Sequence, residues 1–576
     1  MSYALDPVLW RPFRNRPHLG LAAALFGLLW AFGAQLGPTD DEAYYWVLAQ
    51  NLSSGYAFHP PGGPLLIRTA QELFHSLLNW QPNSLASLRF FAALLSSISF
   101  YLLADSLRFA NQRTTSLRDS LLLLGFAGGW ASGWMMVPDI PLFLGFSLTW
   151  WATHRLLRGQ EKNWHFMILA LGCFIGMLGK FSGVFISASA FAALAFSFFE
   201  RKDRKLAFRA TSVILFATLL GFAPSLWWNL IHDWSGFLYH LKDRHQAASG
   251  EGIHIRRWFL FVATQVAVAG PILVVSGTQL FGRTLWGVFQ SAITKRKKPE
   301  RFTWVALLFA LPPFLIYGLV PLWGDFKPHW MLIAWLPLLL ALIPQWNMSI
   351  GIKSPGNYHL AWGITATAIL WTNLLFHVPA WIASISNMRA VAPKTDITND
   401  LYGWAELRGW WKNLPHREKL PWVGARYQTA SQVAFALENS EEVTLLPRSL
   451  LQRDEWPDLR VTETENESPL RIIEPFYFFA TDRYPALPPM TGGLCESEKI
   501  LRIERLPGVL AREMRIYRCS PDAPSERSFQ AKNRWQQELT PHPRAPSVGS
   551  RGRSNEENRT DVSRNLVPSR ICGNSG

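Results

Sequence analysis

Long apolar runs, broken only by short polar segments, constrain this chain more than any other feature. The first, Leu19 to Leu36, is long enough to cross a bilayer. Similar runs recur near 86–108, 119–136, 140–157, 164–179, 181–199, 209–228, 258–281, 303–322, 330–345 and 358–380, so the sequence predicts about eleven spans. In lipid every backbone polar group must be satisfied internally, which makes a polytopic α-helical membrane protein the expected fold class. Composition agrees: 17% of the 576 residues are charged, against about 25% in soluble domains. The 28 Trp suit membrane-interface positions. No cleavable signal peptide is expected, because the first run is long and is followed by acids.

A net charge of +15 raises nucleic acid as a partner, but the basic residues are scattered in short loops between apolar runs, which argues for no nucleic acid and for membrane lipids instead. With the N-terminus inside, alternation puts Arg113 and Arg118, then Arg155, Arg158 and Lys162, then Arg201, Lys202, Arg204 and Lys205, then Lys295 to Lys298 and Arg301 on the inner side, as the positive-inside rule requires. The outer side receives a first loop over 38–85, Val137-Pro138-Asp139, Lys180, 229–257, 323–329 and everything after about 383. Arg256 and Arg257 stand on this side against the trend, where they would attract an anionic lipid.

Within the first loop lies Thr39-Asp40-Asp41-Glu42-Ala43-Tyr44-Tyr45-Trp46. Ionised carboxylates cannot stay in hydrocarbon, so this stretch ends the first span. It reads as a helix start capped by Asp40, with Asp41 and Tyr45 on one face and the aromatic residues at headgroup level. The spans carry almost no charge; the ionisable residues gather at the outer ends: Asp40, Asp41, Glu42, His59, Asp139, Lys180, His232, Asp233, Arg244, His245, Asp325, Lys327 and His329. Acids, cations and imidazoles at one membrane face point to an interfacial active site. Lys180, Arg244 and Lys327 are the cations suited to a lipid phosphate. Each of these residues also has a plain structural reading: snorkelling for the cations, a helix N-cap for Asp139 between Pro138 and Pro141, an aromatic belt for Asn229 to Trp234. The acidic cluster could host a divalent metal, though no ligand spacing requires one, and no cofactor is certain.

Three regions follow: a transmembrane domain over 1–382, a soluble α/β domain over 383–520, and a tail over 521–576 whose Ser, Arg, Asn and Pro content predicts disorder. In the α/β domain 420–424, 443–446, 471–479, 500–506 and 511–518 read as strands, and Tyr427–Leu437 as a helix. Cys495 and Cys519 flank the last hairpin; a disulfide and two free thiols are both open.

Asp41-Glu42-Ala43-Tyr44-Tyr45-Trp46 followed by Gly55-Tyr56-Ala57-Phe58-His59-Pro60-Pro61 resembles the first outer loop of bacterial family-39-type glycosyltransferases. These belong with the protein O-mannosyltransferases and the lipid A aminoarabinose transferase in the GT-C superfamily. Pro138-Asp139-Ile140-Pro141-Leu142, Gly176 through Lys180-Phe181, Pro224 through His232-Asp233-Trp234, Lys327-Pro328-His329-Trp330 and Tyr402-Gly403-Trp404 continue the similarity in order, over about residues 15–440. The resemblance implies an inner-membrane enzyme that takes a sugar from a polyprenyl-phosphate donor. It would pass the sugar, with inversion, to a lipid, glycan or protein acceptor on the periplasmic side. It implies Asp41 as base and Asp139 as the second-loop acid; Glu42 joins them as a candidate catalytic residue, and Tyr45, His59, Lys180, His232, Arg244, His245, Lys327 and His329 are the candidate substrate-binding residues. One departure matters: the aminoarabinose branch carries a basic residue soon after its Asp-Glu pair, where this chain has Tyr44 and Tyr45. A transporter or flippase of lipid-linked glycans is the rival reading; it needs a polar path through the spans, which are nearly free of charge.

Overall fold

The structure, a computed structural model, describes residues 16–520 except 82, 112–114, 241–252, 295–299, 325, 349–350, 352, 377, 379–395, 415–419, 446–460, 463–470, 473–474, 487, 489–493 and 507–508. The expected tail over 521–576, the basic run Lys295 to Lys298, Arg113, Arg244, His245 and Asp325 therefore lie outside the described residues.

Most of the chain is helix, and the apolar runs are the helices. Among the described residues five helices, Leu85–Ala110, Arg204–Ile231 and Pro328–Met348 among them, are long and apolar enough to cross a membrane, against the eleven or so spans expected, and Pro17–Gly33, Asn163–Gly179 and Gly183–Ser197 are shorter apolar helices. Two expected spans are not continuous. The run over 119–136 breaks at Gly125 into Leu117–Leu124 and Ala127–Trp130, because Gly125 lies against helix Pro355–Phe376, where a Cβ on Gly363 would sit 2.2 Å from the Gly125 carbonyl oxygen. The run over 258–281 divides at Gly270 (φ +92°) and Pro271 into Ile255–Ala269 and Pro271–Thr294. Glycine tolerates the left-handed backbone, and Pro271 cannot continue the preceding hydrogen-bond ladder.

Helix Asp139–Leu157 turns back through a short loop into Asn163–Gly179. The two pack on glycine: a Cβ on Gly145 would lie 2.5 Å from Gly176, and one on Gly172 would lie 2.4 Å from the Thr149 hydroxyl. Small residues that let backbones meet are the usual adhesive between helices in lipid. The hairpin puts Asp139 and Lys180 at one end. At the other, about 28 Å away for nineteen residues, the guanidinium groups of Arg108, Arg155 and Arg158 surround the Phe109 ring at 5.3, 5.0 and 5.2 Å. Arg301 joins that end by donating to the Leu157 carbonyl at 3.2 Å. Arg155, Arg158 and Arg301, which sequence alternation put on one side, thus share an end, and first-loop Asp41 lies with Asp139 and Lys180 at the other.

The C-terminal part holds a five-stranded sheet, order β2-β1-β5-β7-β6, with β1 Trp422–Gly424, β2 Val443–Leu445, β5 Phe476–Thr481, β6 Leu494–Leu506 and β7 Val509–Ser520; β3 (Val461–Thr462) and β4 (Arg471–Ile472) form a separate pair. β1 runs parallel to β2 and β5, and β7 runs antiparallel to β5 and β6. Helix Tyr427–Leu437 is the crossover between β1 and β2, as parallel pairing demands. Cys495 and Cys519 are directly opposite on β6 and β7 and form a disulfide.

Helices and sheet belong to one compact unit, Met1–Ser528. The first-loop helix Asp40–Gln50 lies in a core shared with the sheet layer, containing Tyr44, Trp46, Trp404, Val433, Phe479 and Ile516. Tyr44, Tyr45 and Trp46 are accordingly 2%, 3% and 2% exposed, which corrects the expectation that they sit among lipid headgroups. Trp46 packs edge-on to Phe435 at 5.3 Å and Tyr44 meets Tyr427 at 5.0 Å. A layer of protein covers what would otherwise be an amphipathic surface helix.

Candidate active site

Thr39, not Asp40, caps the first-loop helix. Its hydroxyl accepts from the Glu42 backbone N–H, and the Glu42 carboxylate accepts from the Thr39 backbone N–H at 3.0 Å, a complete capping box. Asp40 and Asp41 then fill the first turn, where the helix dipole favours acids.

Glu42 points inward. Arg89 grips it with Nε at 2.9 Å and Nη2 at 2.7 Å, and the Met136 N–H donates to it at 3.0 Å. Arg89 also holds the carbonyls of Gly33, Leu36 and Gly37, which are the last turn of the first span and the start of the loop. Burial pushes the Glu42 carboxyl up, but the charge and hydrogen bonds of Arg89 outweigh it and hold the group below the ordinary carboxylate range. Glu42 and Arg89 are both 0% exposed. The pair fixes where the loop leaves the bundle, and its acid has no free face for a substrate. This geometry gives Glu42 a structural role in place of the catalytic one expected of it.

Asp41, one residue earlier, has the opposite setting. Water reaches it, but dense protein around the carboxyl keeps bulk solvent away, and that desolvation is the main reason its pKa is raised to about 7. Asp40 and Asp139 add like-charge repulsion, while Lys327 and Lys180 pull the other way. A carboxylate that titrates near neutrality is well matched to proton transfer.

Asp139 opens its helix just ahead of the apolar stretch, and both of its oxygens accept from Lys180 Nζ at 2.9 Å. His329 Nε2 is 3.9 Å from it. Burial raises the Asp139 carboxyl, but Lys180, His329 and His59 together hold it below its ordinary value. Close backbone packing brings these groups in: a Cβ on Gly179 would meet Pro141 at 2.7 Å, and one on Gly62 would meet the Leu178 carbonyl at 2.6 Å. Gly62 thereby sets the His59-Pro60-Pro61 turn against the helix end that carries Lys180. Tyr45 stacks edge-on to His59 at 5.5 Å.

His232 is tied elsewhere: it stacks on Trp228 at 4.0 Å and its Nδ1 meets the Trp228 carbonyl at 2.7 Å. Asn229 closes the following turn, its side chain accepting from the Phe237 N–H at 3.0 Å, while Asp233 and Trp234 take positive φ of 52° and 61°. Among the described residues no three His, Cys, Asp or Glu side chains converge to hold a metal ion.

The C-terminal layer adds groups the sequence reading did not single out. Tyr484 donates its hydroxyl to Asp40 at 3.2 Å. Tyr427 lies close enough to Asp41 and Asp40 that, after burial itself, their charges raise its phenol further. Arg483 pairs with Asp400 at 2.7 Å, and buried Arg512 lies over the Trp404 ring at 4.5 Å. Neither tyrosine has a local sequence signal, since each is an ordinary aromatic at the end of a secondary-structure element.

The family model for dolichyl-phosphate-mannose-protein mannosyltransferases matches residues 58–228, the stretch that carries His59, Asp139 and Lys180. ArnT from Cupriavidus metallidurans, solved bound to undecaprenyl phosphate and in the apo state, has the same fold: both structures give a TM-score of 0.50 at 13% and 12% identity, covering 86% of this chain and 97% of theirs. This likeness is one of fold. The chain also resembles the lipid A galacturonosyltransferase RgtD of Rhizobium johnstonii, at 24% identity over 325 residues. That match spans 56% of this chain and 64% of the relative's length.

Proposed function

We propose that this protein is an inner-membrane inverting glycosyltransferase that moves a sugar from a polyprenyl-phosphate donor to a lipid acceptor at the periplasmic face. The observation that carries the reading is Asp41: a solvent-reachable carboxyl with its pKa raised to about 7, standing at the membrane-proximal end of a helical bundle beside the Asp139–Lys180 pair. The acceptor hydroxyl attacks the anomeric carbon from the face opposite the phosphate. Its proton passes to Asp41, the bond between anomeric carbon and phosphate oxygen breaks, and the polyprenyl phosphate departs with the electron pair. A phosphate is a good leaving group already, so cations rather than a strong acid are what its departure needs. Lys180, Lys327 and His329 are placed to supply them, with Asp139 holding Lys180 in position.

The lipid A specificity of the Rhizobium relative and the undecaprenyl phosphate bound to the Cupriavidus one support a lipid-borne donor and a lipid acceptor. The periplasmic side is supported by the clustering of Arg108, Arg155, Arg158 and Arg301 at the far end. It is also supported by the Cys495–Cys519 disulfide, which persists in oxidising compartments. The test is turnover of polyprenyl-phosphate-linked sugar by purified protein in detergent, with lipid A as acceptor. Inverted product from wild type and none from Asp41→Asn is the expected result. Normal product from the variant removes Asp41 as base, and no product from wild type with any donor returns the transporter reading.

A further inference from the structure

This chain carries an extra acid, Asp40, immediately before the Asp41-Glu42 pair, and its carboxylate is held at both oxygens. Oδ1 accepts from the Asp41 backbone N–H at 2.9 Å, and Oδ2 accepts from the Tyr484 hydroxyl at 3.2 Å. The second partner lies 444 residues away in sequence, on the turn that follows β5. That turn is itself fastened. The Tyr484 N–H donates to Thr481 Oγ1 at 3.1 Å, Arg483 next to it pairs with Asp400 at 2.7 Å, and the guanidinium groups of Arg426 and Arg483 flank the Tyr484 ring, each at 5.6 Å. Nothing in the capping box needs this contact, since Thr39 and Glu42 already complete it.

We infer that Tyr484 is a positioning residue for Asp41: by pinning Asp40, the C-terminal layer keeps a second carboxylate beside the base. The inference rests on the reading of Asp41 as the base, but the geometry makes a separate claim about its proton. Left free, Asp40 would turn toward water and its repulsion would be screened. Pinned, it disfavours ionisation of Asp41. The other groups around the acids are Asp139, Lys180, Lys327, His59 and His329 from the bundle side and Tyr427, Arg483 and Asp400 from the C-terminal layer. The two lysines favour the Asp41 carboxylate and Asp139 opposes it. Tyr484, with its own pKa pushed up to about 12 by burial and then by Asp40, stays a hydrogen-bond donor through the neutral range.

The experiment compares wild type, Tyr484→Phe, Asp40→Asn and the double variant. The acid limb of the pH–rate profile is expected to move down by about one unit in Asp40→Asn, less but in the same direction in Tyr484→Phe, and no further in the double variant, because both changes remove one interaction. A purely structural role for Tyr484 would lower the rate equally at all pH and leave the limb in place. The infrared band of the protonated Asp41 carboxyl, identified by its loss in Asp41→Asn, gives the same midpoints without turnover. Parallel shifts of band and limb support the inference. A band shift in protein that transfers no sugar upholds the coupling while removing the transfer reading. Unchanged midpoints in both single variants, or shifts that add in the double variant, overturn it.

Discussion

Asp41 and Glu42 are neighbours in the chain and face opposite regions of the molecule. Glu42 lies in a sealed interior where every lone pair is engaged, by Arg89, Met136 and Thr39. Asp41 lies where water enters and like charges crowd it. The difference teaches that a run of acids is not one functional unit: one carboxylate holds the loop so that the next can be left reactive. The sign of each pKa displacement follows. For Glu42 the folded state prefers the ion, so its stabilisation is present at neutral pH and is lost as pH falls through its depressed value. For Asp41 the folded state prefers the acid, so ionisation subtracts stability as pH rises from the ordinary value of 3.8 to about 7.

The contrast can be broken most forcefully at Arg89. Arg89→Ala leaves Glu42 as an unpaired buried charge and is expected to cost about 3–5 kcal/mol, read as loss of monodisperse protein or a large fall in thermal midpoint in detergent. If Arg89→Ala were as stable as wild type, the sealed region would not hold the loop. Asp41→Asn should do the reverse: transfer falls about 10²–10⁴-fold, while thermal stability above pH 7 stays equal to wild type or rises. Lys180→Ala, which frees Asp139 and removes a cation from the leaving group, should lower transfer by about 10–100-fold, in line with about 1.5–3 kcal/mol for a charge-assisted hydrogen bond. A smaller loss would reassign the lysine to helix-end anchoring. If Asp41 is the base as proposed, the wild-type rate should rise with pH and level off above about 7, since a carboxylate accepts a proton only when ionised; a plateau already reached at pH 5 would mean an ordinary carboxylate. The least effect belongs to the exposed Arg68–Glu72 pair, 2.7 Å apart on helix Gly62–Leu78, where Arg68→Ala should change stability by no more than about 0.5 kcal/mol.

Much of this was legible beforehand. The helices fall on the apolar runs, Tyr427–Leu437 is found where its apolar spacing put it, and the Asp139–Lys180 meeting follows from two runs joined by a short loop. The two interrupted spans were missed because hydropathy counts apolar residues and does not register that Gly125 is squeezed by a neighbouring helix. Arg89 was overlooked inside an otherwise apolar run, although a charge there is costly enough to demand a partner. Tyr427 and Tyr484 were invisible, because their meaning depends on which surface the sheet layer covers.

The sequence by itself determined that the chain must be largely a bundle of apolar helices with its ionisable groups gathered at the helix ends, because lipid tolerates neither open backbone nor stray charge. Only the tertiary structure decided which of two adjacent acids is sealed and which is open. Burial and charge at those carboxyls are set by Arg89 at a separation of 47 residues and Tyr484 at 444, and proximity across such separations exists only once the chain has folded.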